Sequence, residues 1–357
     1  MNVIREWVHR HFSDPQVVTL ALILLGGLAL VIFFGGLLTP VLAAIVLAYL
    51  LEAPVRWLER MRVPRPLGAG LVSTALLVGV VVVSFALVPL LTRQAAQIFQ
   101  EIPAIIAGIQ SWLLNLPERY PSLVTPEHVD ELLTSATQDI GSLRQMVLSR
   151  SLVVGVSLLY LAVYMILVPL MVFFFLRDKA TLMAWMGGFV PRNKDLVRDV
   201  WHEVDVQLGN YVRGKAVEIV LVWVAAYAVF TLLGLKYALL LSVGVGFSVL
   251  IPYLGAMAMT LPVAAVAYAQ WGMEAETVYV LVAYGILQAI DGNVLVPILF
   301  SEAVNLHPVA IIVAVLFFGG VWGFWGVFFA IPLATLINAV INAWPREGGR
   351  ESDADAA

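Results

Sequence analysis

Long uncharged runs, broken by short charged clusters, dominate the 357-residue chain. A helix needs about 20 mainly apolar residues to cross a membrane. Residues 17–51 give 35 positions without a charge, interrupted at Gly35, Gly36 and Pro40, which predicts two spans joined by a tight turn. Residues 67–91 and 152–176, each 25 uncharged positions, predict a third and a fourth span. Residues 219–235 predict a fifth, with Glu218 at its start. A sixth is predicted over 277–301, whose 25 positions carry one charge, Asp291. Two more apolar stretches are bent. Residues 237–273 turn at "IPYLG", and 303–345 contain "FFGGVWGFWG". Irregular backbone at membrane depth survives only when buried in protein or lining a wet cavity, so each bend predicts a re-entrant hairpin or a pair of short spans, over 237–273 and 308–342. Both stretches hold an Ile-Pro pair (Ile251–Pro252, Ile331–Pro332), a hint of an internal repeat. The expected fold class is an all-α polytopic membrane protein with six transmembrane helices plus two Gly/Pro-bent hairpins.

Two polar segments interrupt the spans. Ile98, Ile102, Ile105, Ile109 and Trp112 recur at helical spacing, predicting an amphipathic helix that leaves the third span. Thr125 and Pro126 then read as cap and first residue of a second helix reaching about Arg150. In 193–213, Asn193 reads as a cap, and Val197, Val200, Trp201, Val204, Leu208 and Tyr211 form one stripe. That pattern predicts a helix lying on the membrane surface or under the bundle. The expected organisation is 1–91 (arm and three spans), 92–150 (extracytoplasmic amphipathic segment), 151–345 (transport core) and 346–357 (charged, small-residue, disordered tail).

Composition supports the membrane reading. Hydrophobic residues make up 61% and charged residues 12%, against roughly 25% charged in soluble domains. The net charge of −4 offers nothing to a nucleic acid. The absence of cysteine excludes disulfides and thiolate metal sites. The N-terminal "MNVIREWVHRHFSDPQ" has no signal-peptide pattern, so the first apolar segment is expected to stay as an anchor. With a cytoplasmic N-terminus, 15 of the 20 Lys and Arg fall on inside segments and 5 outside. The positive-inside rule then puts both termini in the cytoplasm.

No nucleophile elbow, zinc-protease helix, Walker loop or dinucleotide fingerprint is present, so an enzyme is not expected and any pumping needs an ion gradient or a partner ATPase. Asp291 is the strongest chemical signal. A charge near the bilayer centre costs at least ~2.5–3.5 kcal/mol and marks function more often than structure. Gly292 relaxes the helix, and Pro297 removes an amide bond to a carbonyl one turn back, so carbonyls and the carboxylate together suit a hard cation or a polar substrate. Gln288 and Asn293 add amides, and Pro252 and Tyr253 form the tip of the first bend. The structural alternative makes Asp291 a simple helix break. In "SEAVNLHP", His307 and Glu302 are candidates for proton relay or gating; the alternative is a turn, with Pro308 opening the next helix. In "YVRGKAVE", Arg213, Lys215 and Glu218 are gating candidates; the alternative is positive-inside anchoring, with Glu218 pairing to Lys215 at i,i+3. No cofactor or metal is expected, beyond coupling to H⁺ or Na⁺.

"FFFLRDK", "YVRGKAVE", "IPYLGA" and above all "DGNVLVPILFSEAVNLHPVAIIVAVLFFGGVWGFWGVFFAIPLATL" resemble the autoinducer-2 exporter family of bacterial permeases. The match in order and spacing is strongest over 170–342. Asp291, Pro252, Pro297 and His307–Pro308 fall on the family's signature, whereas "FSEAVNLHP" departs from the glycine many relatives have near position 301. The resemblance implies a cytoplasmic-membrane protein of eight transmembrane helices, with an extramembrane segment between the third and fourth. It also implies export of the quorum-sensing signal autoinducer-2 or Na⁺(Li⁺)/H⁺ antiport, and a homo-oligomer, a pentamer in the family picture. The reading is a secondary transporter of a small molecule or cation in the lipid bilayer. The rivals are an oligomeric channel-like facilitator, with Asp291 setting cation preference, and a membrane scaffold that uses its amphipathic helices to bind envelope partners.

Overall fold

A computed structural model describes residues 15–114, 154–188, 195–300 and 307–343, and every regular element among them is helical. In chain order these are α1 (Pro15–Arg60), α2 (Arg65–Leu114), α3 (Val154–Arg177), α4 (Lys179–Gly187), α5 (Asp195–Leu232), α6 (Ala238–Ser248), α7 (Leu254–Trp271) and α8 (Ala275–Ile290). A π-helical turn (Asp291–Leu295) follows, then α9 (Val296–Phe300), α10 (Pro308–Phe328) and α11 (Ala330–Ala343). Among the described residues, six helices are long and apolar enough to cross a membrane: Gly36–Arg60, Arg65–Pro103, Asp205–Leu232, Leu254–Trp271, Ala275–Phe300 and Pro308–Phe328. The all-α polytopic class holds. The second helix expected after Thr125, the Asn193 cap, Glu302 and the tail 346–357 lie outside the described residues.

The helices join differently from the expectation in two places. Residues 17–51 do not turn at Gly35–Gly36: α1 runs unbroken for 46 residues through Pro40 and Pro54. A proline inside a helix forfeits one backbone bond, whereas a turn in lipid would strand several, so the helix carries on. The expected placing of both termini in the cytoplasm, with 15 of 20 basic residues inside, assumed that turn and loses the pair of crossings it supplied. Nor does a surface helix stop before the fifth span. α5 continues from Asp195 to Leu232, and "YVRGKAVE" sits in its middle. The helix expected to leave the third span is the far half of α2, which passes Pro89 and Pro103 without a break.

The chain forms two compact units, each assembled from separated segments. The first holds residues up to Ser73, Leu170–Val217 and Val296 onward. Its charged end is tied by Arg65. The guanidinium donates to both Glu52 oxygens at 3.1 Å and to the Leu176 carbonyl at 2.9 Å, joining the ends of α1, α2 and α3. Four arginines of 52–66 and the basic start of α4 therefore share one end of this unit. Aromatic side chains fill it around α10 and α11. Tyr211 donates to the Phe328 carbonyl at 2.8 Å, and Trp325 stacks on Phe329 with centroids 5.9 Å apart.

The second unit holds Thr74–Pro169 and Glu218–Leu295. Val222, Ala226 and Phe230 recur every fourth residue and give α5 one core face. They pack with Leu241 and Val245 of α6, Val263 and Val266 of α7, and Val280 and Tyr284 of α8. The other face of α2 is exposed at Val78, Val82 and Phe85, as a lipid-facing helix must be.

Both bent stretches fold as hairpins. In hairpin A (237–273), α6 has 11 residues and rises about 16 Å, half the ~30 Å hydrocarbon thickness. Its first leg is a half-span. The open ends meet: Gln270 donates to the Gly234 carbonyl at 2.9 Å and accepts from the Lys236 amide at 2.7 Å. Gln94 and Glu101 of α2 hold the same end through the Leu240 amide (3.0 Å) and the Tyr237 hydroxyl (2.8 Å). In hairpin B (308–342), α10 bends at Gly323 (φ 60°, ψ −135°) and the chain returns through α11. The Ile-Pro pairs are not equivalent, because Pro252 lies in the first bend and Pro332 lies inside α11, past the second. The real correspondence is a glycine. A Cβ at Gly255 would collide with the Ser248 carbonyl, and one at Gly326 with the Phe318 carbonyl.

Candidate functional site

Asp291 closes α8 and opens the π-helical turn, and it is 9% exposed. The turn has a local cause. Pro297 cannot donate to a carbonyl one turn earlier, so one extra residue is absorbed before α9. The displaced ladder is partly repaired by Asn293, whose side-chain amide donates to the Ala289 carbonyl at 2.9 Å. Gly292 has no neighbour within 4 Å of the place a Cβ would take, so its role is to soften the backbone, not to make room. Single π turns inside helices cluster at functional sites.

A polar chain lies one turn before Asp291. Gln288 donates to the Tyr284 hydroxyl at 2.6 Å, and that hydroxyl donates to the Ala256 carbonyl at 2.8 Å. Ala256 is in the first turn of α7, directly after the "IPYLG" tip. Within the second unit, the structure thus brings Gln288 together with the tip region that holds Pro252 and Tyr253. Tyr253 is 56% exposed and its backbone stands at φ 62°, ψ −50°. The Leu254 amide bonds the Pro252 carbonyl at 2.7 Å across it, which makes a γ-turn, a rare and strained conformation. Tyr284 is the residue the sequence reading missed. Its signal was its place four residues before Gln288, on the same helix face.

The remaining candidates are placed elsewhere. On adjacent turns of α5, Lys215 and Glu218 are 4% and 1% exposed. In the first unit, Lys215 Nζ stands 5.2 Å over the Phe300 ring, a cation–π contact, and Arg213 donates to Asn210 Oδ1 at 2.9 Å. His307 is exposed and caps α10: its Nδ1 accepts from the Val309 amide at 3.2 Å, with Pro308 at the first helical position. Among the described residues, no group of three or more His, Asp or Glu could hold a metal ion.

The chemistry of the turn is that of a buried acid at a π-helical break beside a side-chain amide, on a helix long enough to cross a membrane. Residues 20–346 match the family described as AI-2E family transporter. PerM of Escherichia coli (strain K12), named as a permease, is 44% identical over 345 residues, 97% of this chain and 98% of its own. YueF of Bacillus subtilis (strain 168), named as a transport protein, is 25% identical over 324 residues, 87% of this chain and 84% of its own. The chain belongs to the AI-2E transporter family and is a multi-pass membrane permease.

Proposed function

We propose that the protein is a secondary transporter whose coupling site is the π turn at Asp291. The observation that carries this is a carboxylate 9% exposed at a helix break inside the apolar segment Ala275–Phe300. The carboxylate exchanges a proton for the cargo. Carbonyls loosened by the turn and the amides of Gln288 and Asn293 complete the ligand set. Such donors suit a small cation, Na⁺ or Li⁺, or a small polar signal of the autoinducer-2 kind. Tyr253, strained and exposed, gates the tip of hairpin A. The arginine-rich end of the first unit faces the cytoplasm of the bacterial inner membrane, following the positive-inside rule. Self-association into a homo-oligomer belongs to the same proposal, and cross-linking in native membranes reads it.

The test uses purified protein in liposomes that enclose a pH-sensitive dye. A Na⁺ or Li⁺ gradient is imposed, and wild type is compared with Asp291→Asn. Proton movement in wild type that falls at least tenfold in the variant is the expected outcome. Equal movement in both removes Asp291 from coupling. Movement in neither removes cation exchange, and labelled autoinducer-2 is then the cargo to try.

A further inference from the structure

We propose that the first unit carries a slot for one acyl chain of an anionic phospholipid, separate from the Asp291 turn. A cavity of about 470 Å³ lies between α1, α3, α4 and α5, within the size range of small-ligand sites. Val41, Ile45, Ala48 and Glu52 line it on successive turns of α1, so the wall runs about 16 Å along the helix. The slot is graded along that length. Its Val41–Ile45 end is apolar, and Leu182 and Leu208 continue the apolar wall. A half-open groove walled in this way suits an apolar guest.

The other end is polar and carries one lysine of the lining beside carboxylates that are themselves paired. Tyr49 donates to the Asp205 carboxylate, and Lys179 Nζ lies 5.7 Å over the Tyr49 ring. Lys179 Nζ forms a long ion pair with Asp205 Oδ2 at 4.0 Å, and its side chain stays 28% exposed. Glu52 at the same end is already engaged by Arg65 and Arg56, both at 3.1 Å, so it does not repel an anion as a bare carboxylate would. A tail-shaped apolar slot that ends at a part-exposed lysine matches a chain with a phosphate head. A zwitterionic lipid offers the same tail but no net charge to match.

The experiment places the full-length protein in nanodiscs doped with phosphatidylglycerol that carries a diazirine in its acyl chain. Parallel discs hold the phosphatidylcholine analogue, and cross-linked peptides are mapped. The expected result is labelling on 41–48 and 182–185, several-fold stronger for the anionic lipid. Ala48→Phe should remove that labelling with both lipids, and Lys179→Gln should abolish the preference while keeping the label. If Ala48→Phe does not fold, Leu208→Phe narrows the same slot from α5. The proposal is overturned if Val82 and Phe85 are labelled as heavily as the slot, or if filling the slot changes nothing. It is also overturned if the slot stays unlabelled because a segment of the chain itself or a second copy occupies it.

Discussion

Hairpin A and hairpin B both reverse an apolar chain, and they use different backbone means. Hairpin A turns through a proline and a tyrosine, and the tyrosine is held at positive φ. Hairpin B turns at Gly323, where the same sign of φ meets no Cβ. Hairpin A begins with an 11-residue half-helix and keeps its polar ties at the open end. Hairpin B is buttressed at its tip by Trp322, Trp325, Phe328 and Phe329, with centroids about 5–6 Å apart. Strain kept in one bend and released in the other separates a part suited to moving from a part suited to staying. Strained residues persist where the surrounding structure holds them, and they cluster at functional sites and switch regions.

What the hairpins share should fail alike, and with the largest effect. Gly255 and Gly326 each press on a carbonyl of the opposite leg, with no side-chain end available to yield. Gly255→Ala and Gly326→Ala are each expected to cost about 3 kcal/mol or more, at the upper end of overpacking penalties. Thermal unfolding in detergent reads this. Tolerance of one substitution but not the other would show that only one hairpin depends on close leg packing.

A smaller effect separates the hairpins. Hairpin A is coupled to the Asp291 helix through Tyr284, which touches both the Ala256 carbonyl and Gln288. Tyr284→Phe keeps the ring but takes the acceptor from the part-buried Gln288 amide, while Thr260 still bonds the Ala256 carbonyl at 2.9 Å, so a loss of about 1–2 kcal/mol is expected. If that chain positions the tip against the π turn, transport should fall further than stability explains. A variant with lowered stability but full flux per folded molecule would make the chain purely structural.

The sequence showed the parts of this fold that depend on composition along the chain, and hid the parts that depend on contacts across it. The apolar runs marked the helices because lipid admits little else. Gly and Pro marked both bends. They also suggested a turn at Gly35–Pro40 that α1 ignores, because a proline in an otherwise apolar helix costs less than an open turn in lipid. Asp291 was legible as a lone charge, and the break beside it as Gly and Pro. The Ile-Pro repeat misled because the equivalence lies in two glycines facing carbonyls, and no local spacing reveals what a glycine faces. Tyr284 was missed for the same reason: its partner is a backbone carbonyl 28 residues away. The Glu52–Arg65 bond across 13 residues is likewise invisible in a count of charges per loop.

The smallest expected effects are the sharpest for the comparison, because they have opposite signs. Gly323 has open space where a Cβ would stand, so Gly323→Ala isolates backbone strain at φ 60°. It should destabilise by about 1–2 kcal/mol, the cost of forcing an L side chain into left-handed space. Tyr253 already bears that cost, and its ring is mostly exposed. Tyr253→Gly removes the strain but adds freedom to the unfolded chain, worth about 0.5–1 kcal/mol in the other direction. The net should be a gain of under about 1 kcal/mol, seen as a small rise in melting temperature. If the strain at Tyr253 helps hairpin A move, the more stable variant transports more slowly, and Gly323→Ala alters stability with little change in rate per folded molecule. A Tyr253→Gly protein that is both less stable and fully active would mean the γ-turn is held by contacts of the ring. The distinction between a strained, moving hairpin and a relaxed, fixed one would then have no energetic basis.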